Sequence, residues 1–135
     1  MSTQAHYSYL SYVIIGCAIE VHKHLGPGLL ESVYEACFIE ELKAKNLKVE
    51  SQLYLPLNYK GKDLGKVLKL DVLVEDVIVV ELKATEGMIP LYQSQLLSHL
   101  SLAGKLKGLL INFNTDNISR DVVSLVTPEF KNLPL

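Results

Sequence analysis

Leu10, Val13, Ile14, Cys17, Ala18 and Val21 recur at spacings of three and four, which predicts an amphipathic helix over residues 9–24. Gly26-Pro27-Gly28 must end it. A second helical pattern runs over residues 30–45, with Val33, Tyr34, Cys37, Phe38, Ile39 and Leu42 on its apolar side and Asn46 as a stop. From Leu47 the period changes. Val49, Leu53, Leu55, Leu57 and Tyr59 read as an extended segment, in which Pro56 favours an edge position or a bulge. Two more β-rich runs, residues 64–74 and 77–84, flank Glu75-Asp76, so the three segments make an antiparallel meander. Val77-Ile78-Val79-Val80 is apolar on both faces, as a strand covered on both sides of a sheet requires. Pro90 opens a third helix and Gly104 closes it; residues 107–113 are the next strand candidate and 122–126 a possible terminal one. The order ααβββαβ(β) predicts an α/β fold built on a mixed sheet with helices on its flanks.

A chain of 135 residues, 49% hydrophobic and 21% charged, suits one compact domain over residues 1–135 and excludes a disordered tail or linker. Thirteen Lys and Arg against 15 Asp and Glu give a net charge of −2, which argues against a strongly basic nucleic-acid coat protein. Cys17 and Cys37 are far apart and form no C-x-x-C, so reduced thiols in a cytoplasmic protein are expected. Residues 1–9 are polar and show no export leader, and no run approaches the ~20 apolar residues of a spanning helix, so no membrane partner is expected.

Candidate chemistry sits in the meander. Asp71, Glu81 and Lys83 are charges embedded in aliphatic strands, where an unpaired charge is costly to bury. An ion pair of Lys83 with Glu81 or Asp71, or a solvated sheet face, would account for them structurally. Glu81 and Lys83, two residues apart, project from one face. A two-residue turn at Glu75-Asp76 would set Asp71 against Val80 and turn Glu81 away. Convergence of the carboxylates requires a three-residue loop that pairs Val74 with Ile78, or a bulge. Two carboxylates and a lysine on one face could hold Mg²⁺ or Mn²⁺ and orient an attacking water, with a phosphodiester as the natural substrate.

These residues resemble the PD-(D/E)xK nuclease superfamily, through Asp71 on one strand and Glu81-Leu82-Lys83 on the next. Gly28-Leu29-Leu30-Glu31-Ser32-Val33-Tyr34 reads G-x-x-E-x-x-Y, the motif that names a family of small prokaryotic proteins. That likeness extends from about Ile15 to Phe113 and includes Leu25-Gly26-Pro27-Gly28, Gln95-Leu96-Leu97 and Leu110-Ile111-Asn112-Phe113-Asn114. The resemblance implies a restriction-endonuclease-like core and a Mg²⁺-dependent nuclease acting on DNA. Asp71 and Glu81 would be metal ligands, Glu31 a third acidic group at the metal, Lys83 the catalytic lysine and Gln95 a supporting polar residue. Leu70 stands where the superfamily name has Pro. A different class of reading is an inactive nuclease-like module that binds nucleic acid or protein; a symmetric homodimer is a further expectation.

Other polar residues have plainer readings. Glu31 suits the first turn of a helix by its charge, Tyr34 suits core packing with a bonded hydroxyl, and His99 suits the border of a leucine-rich helix. His22 and His24, two apart on a helix, make a poor zinc pair. Glu86 ranks below Glu81 as a rim residue. Lys60, Lys62, Lys66 and Lys69 cluster around the hairpin, where they are a solvated surface or phosphate contacts. No aromatic-interleaved basic stripe runs along the chain.

Overall fold

The computed structural model describes residues 2–135; Met1, part of the polar 1–9 stretch, lies outside them. Helix α1 spans Gln4–Leu25, starting well before the predicted residue 9. Polar Gln4 and His6 conceal this first turn from the apolar period, but the Thr3 hydroxyl caps it by accepting the His6 N–H at 3.1 Å. The Gln4 and Ala5 N–H groups donate to the carbonyls of Pro134 and Leu135 at 2.8 and 3.1 Å, so the C-terminal segment satisfies further helix-end donors. Helix α2 (Glu31–Ala44) is followed by β1 (Val49–Tyr59), β2 (Lys62–Val74) and β3 (Ile78–Lys83). Helix α3 (Pro90–Ala103), β4 (Lys107–Asn112) and β5 (Val122–Val126) complete the regular elements. The terminal strand is therefore present, and Pro90 and Gly104 bound α3 as their chemistry requires.

The sheet order is β1-β2-β3-β4-β5. Every pairing is antiparallel except β3 with β4, which α3 connects as a crossover. β3, apolar on both faces, takes the centre, and β1, with Pro56, takes an edge. Helices α1 and α2 cover one face, burying Ile14, Ala18, Tyr34 and Phe38 with Val72, Val74, Ile78, Val80, Leu82 and Ile111. Helix α3 covers the other with Leu96 and Leu100 against Leu70, Leu73, Val79 and Leu110. α3 approaches β4 closely: a Cβ on Gly108 would meet Leu96 Cδ1 at 2.8 Å.

β2 has two unlike halves. Its pairing with β3 covers only Val72 to Val74, while its pairing with β1 continues out to Lys62. Between the halves the alternation slips. Leu68 and Leu70 lie on the α3 side, as does Leu73, whereas Val72 and Val74 face α1 and α2. Gln52 of β1 sits opposite this slip in the left-handed region, at φ 49°, and its side-chain amide donates to the Glu35 carboxylate of α2 at 2.7 Å. A non-glycine residue at positive φ is uncommon, and here it allows both strands to change face together.

Candidate functional site

The Glu75-Asp76 turn decides whether the acidic strand pair can meet. Both residues adopt positive φ, 51° and 64°, and the Val77 N–H returns to the Val74 carbonyl at 3.0 Å. The loop is thus three residues long and pairs Val74 with Ile78 and Val72 with Val80. One further step along that register would set Asp71 opposite Glu81, the condition the two carboxylates need, but the ladder ends at Val72–Val80. The backbone ladder stops there because Asp71 itself takes the next donor: its Oδ2 accepts the Leu82 N–H at 3.1 Å. Asp71 sits at the slip in β2 and so reaches sideways toward β3, with the strands parting beyond it.

Glu81 and Lys83 share the α3 side of β3. Glu81 is buried, 6% exposed, and its carboxylate is hydrogen-bonded to Nδ1 of His99 on α3. That bond satisfies one oxygen of a carboxylate that would otherwise be unpaired in a largely apolar layer. Lys83 is half-buried, and its Nζ lies 4.4 Å from the centroid of the Tyr92 ring, one face of which receives the ammonium. Neither Glu81 nor Asp71 is ion-paired to Lys83 among the described residues, so the simple ion-pair explanation of this cluster does not hold.

Glu31 begins α2, in the first turn where the helix dipole favours it. Burial raises its carboxyl above the ordinary range, Asp71 and Glu35 push it further up, and Lys83 and Lys69 pull it down. Glu31 therefore belongs to the same electrostatic cluster as Asp71 and Lys83. Its position follows from the rest of its motif. Gly28 holds φ 98°, and the buried Tyr34 hydroxyl donates to the Gly26 carbonyl at 2.6 Å and accepts the Leu29 N–H at 3.1 Å. Stacked on Phe113 at 4.7 Å, Tyr34 ties the Gly26–Gly28 turn to the sheet and so aims the start of α2. Gln95 lies on α3 between Tyr92 and His99 at helical spacing and is exposed; no hydrogen bond engages it among the described residues.

Sequence reading missed the partners of His99 and Tyr92, because nothing in a linear pattern says which strand residue lies beneath a helix residue. It also missed Asn112. This side chain, 1% exposed, accepts from the Thr85 and Asn114 N–H groups and donates to the Thr85 carbonyl, joining the exits of β3 and β4 beside the site. The two histidines at the end of α1 go separate ways, as their spacing requires: His22 Nε2 meets the Thr115 carbonyl at 2.7 Å, while exposed His24 pairs with Glu20. Glu86 is exposed and makes no ion pair with Lys83 among the described residues.

The donor set fits a hard divalent cation in kind: Asp71 and Glu81 offer carboxylate oxygens across adjacent strands, and Asp71 Oδ1 is left over from its bond to Leu82. In the described conformation no three acidic, histidine or cysteine side chains are gathered closely enough to hold a metal among the described residues. Glu81 is turned to His99, and Glu31 approaches from α2.

The family model for the PD-(D/E)XK nuclease superfamily matches residues 8–124. The crystal structure of SSO0001 is similar in fold, with a TM-score of 0.51 and 23% identity, over 73% of this chain and 50% of that one. The chain thus spans about half the length of that solved protein. No curated protein matches the chain. The expected restriction-endonuclease-like α/β fold agrees with both likenesses. No helix among the described residues is long and apolar enough to cross a membrane.

Proposed function

The chain belongs to the PD-(D/E)XK nuclease superfamily, and from that premise we propose that it is a divalent-metal-dependent nuclease hydrolysing the phosphodiester bonds of DNA. Asp71 and Glu81 are the residues that would hold Mg²⁺ or Mn²⁺, with Glu31 the third acidic group. The ion, when bound, would supply a Lewis acid for the phosphate oxygens and lower the pKa of a water. Lys83 orients that water and offsets charge near it, and Gln95, exposed on α3 above the strand, steadies the water or the phosphate backbone. Tyr92 keeps the Lys83 ammonium on the α3 side of the sheet, and His99 holds the Glu81 carboxylate in place. The observation that supports the reading is the three-residue turn with its register Val74–Ile78 and Val72–Val80, which brings Asp71 beside the Glu81-Leu82-Lys83 segment, its carboxylate accepting the Leu82 N–H.

The test is cleavage of plasmid and linear DNA in Mg²⁺ and in Mn²⁺, with Asp71→Ala and Lys83→Ala as controls. Metal-dependent cutting that both substitutions abolish is the expected result. Absence of metal-dependent cleavage of any DNA or RNA form, or cutting untouched by either substitution, sinks the reading. A second reading, a catalytically silent nuclease-like module, is favoured by the engagement of Glu81 with His99 and by the absence of a ready three-group cluster among the described residues. Calorimetric titration with Mn²⁺ separates the two, since the silent module takes up no ion at Asp71 and Glu81. A symmetric dimer would present two such sites to one substrate, and light scattering decides it.

A further inference from the structure

The two edges of the sheet, β1 and β5, are built differently. β1 carries the devices that keep an edge from pairing with a further strand: Pro56, the positive-φ residue Gln52 and the charge of Glu50. β5 carries none of them. Val122-Val123-Ser124-Leu125-Val126 has no charge and no proline, and its register with β4 runs without a bulge. Val126 is left 45% exposed.

Hydrogen-bond parity identifies which backbone groups of β5 are free. The Thr127 N–H donates to the Leu106 carbonyl at 2.9 Å, and in an antiparallel ladder bonded and non-bonded pairs alternate. Leu125 and Val123 therefore bond to Gly108 and Leu110, whereas Val122, Ser124 and Val126 turn their N–H and C=O groups away from β4. The other side of β4 agrees with this parity. Phe113, on the same alternation as Lys107, Leu109 and Ile111, donates its N–H to the Lys83 carbonyl beyond β3. No further strand pairs with the outward groups of β5 among the described residues. Such a row is a template for strand addition.

This edge complements itself. An antiparallel copy centred on Ser124 sets Ser124 opposite Ser124 and Val122 opposite Val126, the one register in which all three outward-turned residues meet outward-turned partners. It also covers the exposed Val126 with an apolar neighbour and sets Val123 against Leu125 on the α3 side. Charge fits the same arrangement. Arg120 and Asp121 precede the strand, Glu129 and Lys131 follow it, and none of the four is ion-paired among the described residues. A two-fold axis lays the first end of one copy against the second end of the other, so the cation and anion at each end meet an anion and a cation. A strand of any other protein would have to reproduce that charge order.

We propose that the outer edge of β5 pairs with β5 of a second copy of this chain about a two-fold axis at Ser124, joining two five-stranded sheets into one. The candidate sites, on β2 and β3, lie inward of the axis and are left uncovered. The proposal depends on neither metal, nucleic acid nor turnover, so it and the nuclease reading fail separately.

The test is light scattering on the full chain from roughly 1 to 100 µM, with expected growth from the 15.0 kDa monomer to twice that mass. Ser124→Pro removes one outward N–H, and Ser124→Lys sets two like charges together at the axis. Each should raise the dimerisation midpoint by about tenfold or more. Neither change removes a bond to β4, so Ser124→Lys should keep its urea midpoint near that of wild type, which excludes unfolding as the cause. Register is read by cross-linking under mild oxidation. Bonded antiparallel partners have Cα atoms about 5.5 Å apart, within disulfide reach. Ser124→Cys should therefore give a covalent dimer on a non-reducing gel, whereas Val126→Cys, which faces Val122 and not itself, should give no more than wild type. A wild type that stays monomeric throughout, a dimer untouched by both Ser124 variants, or Ser124→Cys that cross-links no better than Val126→Cys would each overturn the β5 interface.

Discussion

β2 is one strand with two environments, and the change between them falls at Asp71. Val72 and Val74 are fully buried, covered on both faces and paired on both edges. Val67 and the lysines beyond it belong to the same strand but have one paired edge and no covering layer. The inner half gains from burial and rigidity. The outer half gains neither and retains access to solvent. A carboxylate placed at the boundary can have both. Asp71 is held by the Leu82 N–H yet is not enclosed, whereas Glu81, one strand further in, needs His99 to be tolerated.

The sharpest way to break this contrast is to put the same change in both halves. Val72→Asp places a charge where exposure is 0% and should cost more than about 4 kcal/mol, enough to abolish the cooperative urea transition. Val67→Asp, at 63% exposure, should stay within about 0.5 kcal/mol of wild type in the same measurement. A comparable loss at both positions would mean the outer half of β2 is not independent of the core.

At the boundary itself, Asp71→Asn keeps an oxygen for the Leu82 N–H and removes the charge. Stability should hold while Mn²⁺ uptake disappears and cleavage falls by about a hundredfold or more. Deeper in the sheet, His99→Ala should weaken Mn²⁺ binding by about tenfold, because a buried ligand loses its orienting donor. His99→Asn, which returns an N–H near the Nδ1 position, should recover most of it. Calorimetry reads both, and equal affinity in all three proteins would reduce His99 to packing.

The smallest effect separates the lysines of the two regions. Lys107 of β4 is 9% exposed and packs over the Phe130 ring, and burial lowers its pKa from the ordinary 10.5. The hairpin lysines Lys60, Lys62, Lys66 and Lys69 are exposed. Below its lowered pKa, Lys107 is charged in both states and the folded protein bears the full cost. As pH rises through that pKa the folded protein sheds the proton and regains stability, until near 10.5 the unfolded chain has lost it too. Lys107→Met should therefore raise Tm by a few degrees at neutral pH, with a gain that shrinks in alkaline buffer. Lys66→Met, on the exposed outer half of β2, should leave Tm within about a degree of wild type at neutral pH.

Much of this architecture can be read before folding is considered. Apolar periods locate the helices, Pro90 and Gly104 bound α3, and the doubly apolar Val77–Val80 run places β3 in the middle of the sheet. Asp71, Glu81 and Lys83 announce themselves as charges in aliphatic strands. The first turn of α1 is not legible, because some of its donors are satisfied by Pro134 and Leu135, residues at the other end of the chain. The partner of Glu81 is equally hidden, since His99 is eighteen residues away and reaches it only when α3 is laid on the sheet.

Which segments are helix or strand, and which charges are out of place, are properties of the chain alone, because they follow from period, turn chemistry and the cost of burying an ion. Whether Asp71 and Glu81 meet is not such a property, since a turn of two or three residues flips every side chain beyond it. Folding selects that register, turns Glu81 toward His99, and sets Tyr54 against Lys69 and Tyr59 against Lys62. Each of these depends on contacts between strands or between layers, and such neighbours are set by packing, not by proximity along the chain.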